Sequence, residues 1–356
     1  MSSPRVEIDL DKVGHNARSL VERAGERGIS VTGVTKAVLG LPPLAAVFVS
    51  SGVVALGDSR IENIETMRAA GLNHPMVLIR SPMPSQVDRV VASGAISLGT
   101  NSRVMAGLAR AACDQGVEHG VVLMVELGDL REGIMPERLG VAVAHLLSLR
   151  GIRLRGLGAN LACRSGIAPD AVNMAELSAC VERVEREFGL EVDIVTGGNS
   201  ANLLWAFGPG DSGRVNNLRL GESILLGCEP LRRQPIPGLH DDAVVLVAEV
   251  IESSRKPSRP WGRVEQSAFG AAGPTGDDRG PVWQTILALG HQDTDPAGLV
   301  PPRGVRIVGA SSDHLITETD RRLNAGTEIR FGQSYGAFMR AMTSPYVATV
   351  LLGGLQ

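Results

Sequence analysis

Short blocks of apolar and polar residues alternate along the first two thirds of the chain and predict strands that are each followed by a helix. Blocks rich in β-branched residues are typical of strands buried in a parallel sheet. The predicted strands cover residues 31–39, 53–57, 75–80, 95–98, 121–126, 154–159, 192–196 and 216–221. These eight strand–helix units with short loops predict an α/β fold, a (β/α)₈ TIM-type barrel.

The pattern changes after about residue 230, where prolines and aspartates interrupt it. Short apolar runs at 243–251, 282–289, 305–310, 327–331 and 346–352 are separated by turns rich in glycine and proline, with little helical periodicity. We therefore expect a barrel domain over residues 1–235 and a C-terminal all-β domain over 236–356. The first predicted strand, near residues 5–10, is a candidate to join the second domain.

Lys36 is the first candidate for chemistry. It stands near the end of the apolar run 31–39 in a chain whose only other lysines are Lys12 and Lys256. Desolvation disfavours a charged lysine at the end of a buried strand. One interpretation is an amine that forms a Schiff base and later transfers protons. This stretch alone leaves open that the ammonium simply reaches solvent.

Four segments near the predicted strand ends carry a family resemblance. They are Glu-Leu-Gly-Asp-Leu-Arg-Glu-Gly at 126–133, Ala-Leu-Gly-His-Gln-Asp at 288–293, Gly-Ala-Ser-Ser-Asp-His-Leu at 309–315 and Met-Thr-Ser-Pro-Tyr-Val at 342–347. Together with Lys36, the chain resembles the alanine racemase family of pyridoxal-phosphate enzymes, and is most similar to its ornithine racemase type. The resemblance spans essentially the whole chain. It implies an isomerase acting on a small amino acid, with a homodimer sharing its active site between subunits.

The resemblance implies that Lys36 binds pyridoxal 5'-phosphate covalently. It places other cofactor contacts at Arg131, Asn160, Asn199, Ser200, Arg219, Gly221, Glu222 and Tyr346. Arg219 would face the pyridine nitrogen and, because an arginine keeps its proton, leave that nitrogen unprotonated. The ring is then a weaker electron sink, which favours return of the proton to the α-carbon. Taken alone, Arg219 is also compatible with a salt bridge, and Glu126 and Asp129 with pairing to arginines.

A racemase needs a proton carrier on each face of the α-carbon. Alanine racemases use a tyrosine from the partner subunit, and His291 stands in the matching segment here. Histidine suits proton transfer near neutral pH, so His291 is the first candidate, with His314 as its competitor. A loop histidine that only contacts substrate or the dimer interface is the alternative. Substrate contacts are expected at Arg131, Asp293, Ser312, Asp313 and His314.

Two departures from the alanine enzymes point to a different amino acid. Met124 stands where those enzymes have a second lysine, and Leu39 and Gly40 stand where they have a tyrosine. Asp293 and Asp313 are candidates to pair with the side-chain ammonium of ornithine or lysine. The alternative is that both acids only support the residues that contact the substrate. The expected substrate is therefore ornithine-like, lysine-like or another amino acid besides alanine.

The composition bears on which other functions are expected. A formal charge of −3 and an aromatic content of 3% give no indication of nucleic-acid or membrane binding. The four cysteines lack CxxC spacing, and no signal or membrane-spanning pattern is apparent, so we expect no metal site and a cytoplasmic location. Two alternatives stay open: a non-catalytic or regulatory descendant that binds pyridoxal phosphate, and a D-amino-acid lyase or aldolase of the same fold. The latter typically has metal ligands near the C-terminus, but the last histidine is His314.

Overall fold

The computed structural model describes residues 4–266, 269 and 277–354 and forms two compact units. One unit comprises Lys12–Asp241, and the other joins the residues up to Asp11 to those from Asp242 onwards. The first strand, β1 (Arg5–Asp9), pairs within the second unit, with strands from the C-terminal part of the chain. The boundary between the domains was predicted from the sequence at 235/236.

The first unit is built on a closed barrel of eight parallel strands, which confirms the predicted fold class. The strands are β2 (Ser30–Val34), β3 (Ala55–Asp58), β4 (Met76–Leu78), β5 (Ile96–Gly99), β6 (His119–Met124), β7 (Ile152–Gly158), β8 (Ile194–Thr196) and β9 (Asn217–Leu220). Strand β9 pairs with β2 and closes the barrel. Leu98, Val122 and Met124, from β5 and β6, form a buried apolar cluster.

Helices alternate with these strands, as the apolar periodicity predicts. They are α1 (Leu10–Gly25), α2 (Pro42–Ser50), α3 (Ile61–Ala69), α4 (Val87–Ala92), α5 (Ser102–Asp114), α6 (Leu139–Leu147), α7 (Ala171–Phe188), α8 (Leu203–Ala206) and α9 (Glu222–Leu226). Side-chain caps set two of the starts: Asn101 accepts hydrogen bonds from the first turn of α5, and Asp170 forms a capping box with Asn173 at α7. Among the described residues, no helix is long and apolar enough to cross a membrane.

The second unit is a mainly antiparallel sheet. Its further elements are β10 (Val244–Pro257), β11 (Pro281–Leu287), β12 (Leu299–Val300), β13 (Val305–Ala310), β14 (Leu315–Thr319), β15 (Glu328–Gln333), α10 (Tyr335–Thr343) and β16 (Ala348–Leu352). The sheet runs in the order β12-β15-β10-β11-β14-β13, and β1 lies between β10 and β16. Strand β1 is antiparallel to β10 and parallel to β16.

Helix α10 was not predicted from the sequence. Ser334 caps its start by accepting a hydrogen bond from the Ala337 N–H at 3.3 Å, and Ala337, Phe338 and Ala341 form its buried face. Three buried residues over two turns give only a weak helical periodicity, which is hard to recognise in a region of predicted strands. The unit remains a β domain with one helix packed on it.

Candidate active site

Lys36 lies at the carboxyl end of the barrel, where enzymes of this architecture place their chemistry. The predicted strand 31–39 was too long, because β2 ends at Val34 and Lys36 begins a 3₁₀ turn, Lys36–Val38. The turn ends at Leu39, which adopts a φ of 54°. The backbone N–H of Gly40 then donates to the Thr35 carbonyl oxygen at 3.3 Å, closing the turn. The lysine is therefore fixed by a tight turn rather than by the strand ladder.

The residue before the lysine is anchored to a buried acid. Thr35 Oγ1 donates a hydrogen bond to Asp58 Oδ2 at 2.8 Å. Asp58, the last residue of β3, is fully buried and also accepts hydrogen bonds from the Arg60 N–H at 3.0 Å and Asn63 Nδ2 at 2.9 Å. Burial raises the pKa of Asp58, while these donors act in the opposite direction. Asp58 was not among the site residues predicted from the sequence.

Burial and nearby charged groups both shift the pKa of Lys36. Burial lowers the pKa of its amine, and the positive charge of Arg131 lowers it further. Cys163, Asp58 and Glu222 act in the opposite direction and raise it. The net effect is a depressed pKa, which increases the neutral fraction of the amine near neutral pH. Such an amine is suited to act as a nucleophile or as a base.

Arg219 is buried in the barrel, with 5% of its surface exposed. Its guanidinium donates hydrogen bonds to Thr196 Oγ1 at 2.5 Å, to the Ala159 carbonyl oxygen at 2.8 Å and to Asn160 Oδ1 at 3.4 Å. These acceptors are neutral, which differs from the salt bridge considered as an alternative. Burial lowers the pKa of Arg219 to about 10, so the guanidinium remains charged at neutral pH.

Asn160 and Asn199 connect the loops after β7 and β8. Asn199 Nδ2 donates hydrogen bonds to Asn160 Oδ1 at 3.2 Å, to the Leu161 carbonyl oxygen at 2.9 Å and to Cys163 Sγ at 3.5 Å. The other amide atom of Asn160, Nδ2, is buried and has no hydrogen-bond partner among the described residues. A buried donor of this kind is costly unless a bound molecule or water satisfies it.

The predicted phosphate-binding turns follow β8 and β9 and lie against each other. Ser200 Oγ lies 3.0 Å from Ser223 Oγ and accepts a hydrogen bond from the Ser223 N–H at 3.2 Å. Gly198 has a φ of 151°, and a Cβ at this position would lie 2.1 Å from Asn202 Oδ1. A Cβ at Gly221 would lie 2.9 Å from the Val34 carbonyl oxygen. The absence of side chains at both glycines lets these turns pack closely at the strand ends.

Glu222 begins helix α9 and forms an ion pair with Arg233. Its side chain is largely buried, with 14% exposed. Burial raises the pKa of Glu222, and the charges of Arg233 and Lys36 lower it. The predicted cofactor contact at this position is thus an acid that also acts on the charge of the lysine.

Two acids that follow β6 organise the loops around the site through main-chain groups. Glu126 accepts hydrogen bonds from the Gly128 N–H at 2.8 Å and the Leu130 N–H at 2.9 Å. Asp129 is buried and accepts from the Arg164 N–H at 3.1 Å and the Ser165 N–H at 3.0 Å. These contacts differ from the arginine side-chain pairing considered above. Asp129 therefore joins the loop after β6 to the loop after β7.

The Arg131 side chain extends from the first of these loops. It is 40% exposed, and its Nη2 lies 3.8 Å from Glu132 Oε1. Its charge acts on both Lys36 and Arg219. The barrel therefore brings the predicted residues Lys36, Arg131, Asn160, Asn199, Ser200, Arg219, Gly221 and Glu222 to one end.

Backbone strain occurs in the same loops. Leu39, Leu130 and Ala162 have positive φ angles of 54°, 53° and 57°. These residues follow β2, β6 and β7 respectively. Residues other than glycine rarely adopt this backbone conformation, and strained residues often occur in functional loops.

The remaining predicted residues belong to the β domain, where two loops bring most of them together. The His291 N–H donates to the Ser311 carbonyl oxygen at 3.0 Å, and the Gln292 N–H donates to that of Ser312 at 2.9 Å. His314 Nδ1 lies 2.8 Å from Asp313 Oδ1, and both side chains are exposed. The hydrogen bond from His314 holds the pKa of Asp313 below its usual value.

Three further features qualify the individual roles. Asp293 is buried and accepts a hydrogen bond from the Gly290 N–H at 2.8 Å, so it holds its own turn. Burial raises the pKa of Asp293. The ring of His291 packs against Phe269 with centroids 4.1 Å apart. Tyr346 lies on the separate segment between α10 and β16 and is 66% exposed.

Comparison with known families agrees with this arrangement. Residues 8–230 match the family model described as alanine racemase, N-terminal domain. The chain belongs to the alanine racemase family. Members of this family that resemble it along its length include the lysine racemase of Thermotoga maritima, at 36% identity, and the ornithine racemase of Acetoanaerobium sticklandii, at 34%. Each alignment covers 98% of this chain and 99% of the relative.

Solved structures share the fold at lower sequence identity. Alanine racemase from Streptomyces lavendulae superposes with a TM-score of 0.77 at 20% identity, covering 100% of this chain and 99% of that one. D-threonine aldolase from Filomicrobium marinum gives a TM-score of 0.73 at 19% identity, covering 96% and 88%. These similarities show that the chain shares its fold with both proteins. In the part of the chain that the structure describes, no group of three or more His, Cys, Asp or Glu side chains is arranged to hold a metal ion.

Proposed function

We propose that this protein is a pyridoxal-phosphate-dependent racemase that interconverts the L and D forms of a basic amino acid, lysine or ornithine. The observation that carries the proposal is the position of Lys36 at the end of a barrel of the racemase family. Its amine has a depressed pKa, to which the charge of Arg131 contributes. The full-length similarity to a lysine racemase and an ornithine racemase supports the substrate class. The replacement of the alanine-type lysine by Met124 and of the tyrosine by Leu39 and Gly40 agrees with it.

The residues of the barrel fit pyridoxal phosphate. Lys36 would hold it covalently, Arg219 would face the pyridine ring, and the turns at 198–200 and 221–222 would receive the phosphate. The buried, unpartnered Nδ2 of Asn160 is a donor that a bound group would satisfy. When bound, the cofactor supplies an electron sink that makes the α-proton of an amino acid removable. Arg131 would hold the cofactor's phenolic oxygen or the substrate carboxylate.

Within this site, Lys36 carries the proton on one face of the α-carbon. Its depressed pKa increases the fraction of neutral amine that can accept the proton, and the resulting ammonium can then return it. Arg219 keeps its own proton, since its pKa of about 10 lies well above neutral pH. Because its hydrogen-bond acceptors are neutral, its positive charge is retained beside the ring. This arrangement favours return of the proton to carbon over its loss to other atoms.

His291 is the proposed proton carrier on the opposite face, supplied by the partner subunit of a head-to-tail homodimer. The main-chain hydrogen bonds between the two loops place His291 near Ser312, Asp313 and His314. Asp313 is exposed, and its lowered pKa keeps it ionised, which suits recognition of a side-chain ammonium. His314 is the competing base, because Asp313 orients its imidazole. Asp293, being buried, is proposed to shape the loop behind these contacts, and Tyr346 to contact the phosphate.

Two experiments test the proposal. The chain has lysines only at 12, 36 and 256, so borohydride reduction of the pyridoxal-phosphate-loaded protein followed by peptide mass analysis identifies the attachment site without ambiguity. We expect the pyridoxyl group on Lys36 alone. Attachment to Lys12 or Lys256, or no attachment, would contradict the cofactor site.

The second base is tested with the matched variants His291→Asn and His314→Asn. We expect His291→Asn to lower racemisation of L-lysine by about 100-fold or more, the range of acid–base catalysis. His314→Asn should cost less than about tenfold. The reverse order would assign the role to His314, and cofactor attachment without racemisation in the unmodified protein would favour a non-catalytic descendant.

A further inference from the structure

The charge on a catalytic lysine depends on every ionic group that faces it. Among the described residues, the groups that act on the pKa of Lys36 include Asp58 at the end of β3, Arg131 in the loop after β6, Cys163 in the loop after β7 and Glu222 at the start of α9. Glu222 is compensated by its ion pair with Arg233. Cys163 is exposed, and Arg131 carries the same charge as the ammonium.

Asp58 differs from the other acids because it is fully buried and its hydrogen-bond donors are neutral. Its oxygens accept hydrogen bonds from Thr35 Oγ1, the Arg60 N–H and Asn63 Nδ2, at 2.8, 3.0 and 2.9 Å. Amide and hydroxyl donors satisfy the oxygens without cancelling the charge. Burying a carboxylate whose hydrogen-bond donors are all neutral costs free energy, and a positive charge nearby reduces that cost.

The turn that contains Lys36, residues 35–40, is hydrogen-bonded to the same carboxylate. Thr35 precedes Lys36 directly and is itself fully buried, with its hydroxyl on Asp58. Asn63, another donor to Asp58, packs against Gly40, where a Cβ would lie 2.7 Å from Asn63 Cβ. Asp58 is therefore bonded to Thr35 at one end of the turn that contains Lys36, and to Asn63, which lies close to Gly40 at the other end.

We propose that Asp58 is a positioning residue for Lys36, whose buried carboxylate anchors the turn at Thr35 and provides a negative charge near the amine. The proposal deepens the proposed function and rests on it, because it assigns a residue that prepares the lysine for proton transfer. In this role Asp58 offsets part of the effect of burial, so that the amine can hold a proton as well as release it. Because Asp58 is fully buried, we expect it to act through Lys36 and not by contact with substrate.

The test measures the basicity of Lys36 without any cofactor. The full-length protein, stripped of pyridoxal phosphate with hydroxylamine, is acetylated with trace acetic anhydride, and the rate at each lysine is followed by peptide mass analysis. Only the neutral amine reacts, and Lys12 and Lys256 serve as internal references within the same chain. Because racemisation is not measured, failure of this proposal and failure of the proposed function remain distinguishable.

Asp58→Asn removes the charge and keeps a similar shape, whereas Thr35→Val removes the hydroxyl and keeps the charge. In Asp58→Asn we expect Lys36 to be acetylated about 3- to 10-fold faster than in the unmodified protein at about pH 7.5, since loss of a nearby opposite charge favours the neutral amine. Lys12 and Lys256 should not change, and Thr35→Val should stay within about twofold. An unchanged Lys36 rate in Asp58→Asn, or an equal increase in both variants, would overturn the proposal.

Asn63→Ala supplies an independent test if Asp58→Asn does not fold. It removes one hydrogen bond to the carboxylate, so the pKa of Asp58 rises and its charge is lost at a higher pH than before. In a comparison at two pH values, Lys36 should be acetylated faster than in the unmodified protein at the lower pH, and the difference should shrink at the higher pH. No difference at the lower pH would contradict the electrostatic role.

Discussion

Arg219 Nη2 donates a hydrogen bond to the main-chain carbonyl oxygen of Ala159 at 2.8 Å. This bond joins β9 to the end of β7 across the intervening strand β8, which contributes Thr196 as a second acceptor. Three strand ends thus fix one buried guanidinium whose partners are neutral. The geometry lets Arg219 present its charge to a bound ring without sharing it with a carboxylate.

Thr196→Val tests this arrangement by removing one of the acceptors. A buried guanidinium N–H left without a partner costs about 1–3 kcal/mol, so we expect the free energy of unfolding to fall by that amount. Racemisation should fall about tenfold because the charge is no longer held in place. Thr196→Ser keeps the hydroxyl and serves as the control. A loss in Thr196→Ser without one in Thr196→Val would show that the threonine methyl group, rather than the hydrogen bond, is what matters.

Asp129 offers a prediction about the loops. Asp129→Ala removes the acceptor for the Arg164 and Ser165 N–H groups, which should loosen residues 126–134 and 160–166. Hydrogen exchange should become faster in these two segments and unchanged in the barrel strands. Asp129→Asn keeps one acceptor oxygen and should show an intermediate effect. Exchange rates that remain the same in both segments would argue against a loop clamp.

Stability should decrease in acid because of His119. Its side chain is buried, its Nε2 lies 2.9 Å from Ser97 Oγ, and burial lowers its pKa from 6.5 to about 4. As the pH falls from 6.5 towards 4, the unfolded chain binds a proton that the folded chain does not, so folding becomes less favourable. Between about pH 7 and about pH 5 this group should cost about 2 kcal/mol.

The matched variant for this prediction is His119→Gln, which keeps hydrogen-bonding capacity and removes the titration. Denaturant unfolding at about pH 7 and about pH 5 should show a smaller loss of stability for His119→Gln than for the unmodified protein. The same loss in both proteins would assign the acid sensitivity to other groups.

Gly198 is expected to be intolerant of a side chain. It has a φ of 151°, and a Cβ added there would lie only 2.1 Å from Asn202 Oδ1, so Gly198→Ala must displace the turn after β8. We expect a loss of about 1–3 kcal/mol in stability, together with weaker binding of pyridoxal phosphate. Gly210→Ala is the control, because a Cβ there would have no neighbour within 4 Å. Similar effects of the two substitutions would contradict this account of the turn.

Much of this architecture follows from residue patterns. The eight strands of the barrel were predicted from β-branched runs, and the parallel arrangement then requires their carboxyl ends to gather at one end. Lys36, Arg131, Asn160, Asn199 and Arg219 could be located in advance because each follows or ends such a run. The motif resemblance supplied their roles, which the periodicity alone does not contain.

Other features depend on contacts between distant residues. Strand β2 stops at Val34 because Thr35 turns towards Asp58, and no local propensity shows this. Strand β14 was not predicted, since its run Leu-Ile-Thr-Glu-Thr pairs with β11 and β13 only in the assembled sheet. Asp58 and Thr196 were missed for the same reason: an acid and a hydroxyl at strand ends are common, and their partners lie on other strands.

The central claim is tested most directly by proton exchange and loss of optical activity together. The pyridoxal-phosphate-loaded protein is incubated in D₂O with L-lysine, L-ornithine or L-alanine, and deuterium at the α-carbon and optical rotation are followed over time. We predict that lysine or ornithine gains deuterium and becomes racemic, that alanine reacts at least about tenfold more slowly, and that Lys36→Ala is inactive. Absence of exchange with every amino acid, or full activity in Lys36→Ala, would contradict the account.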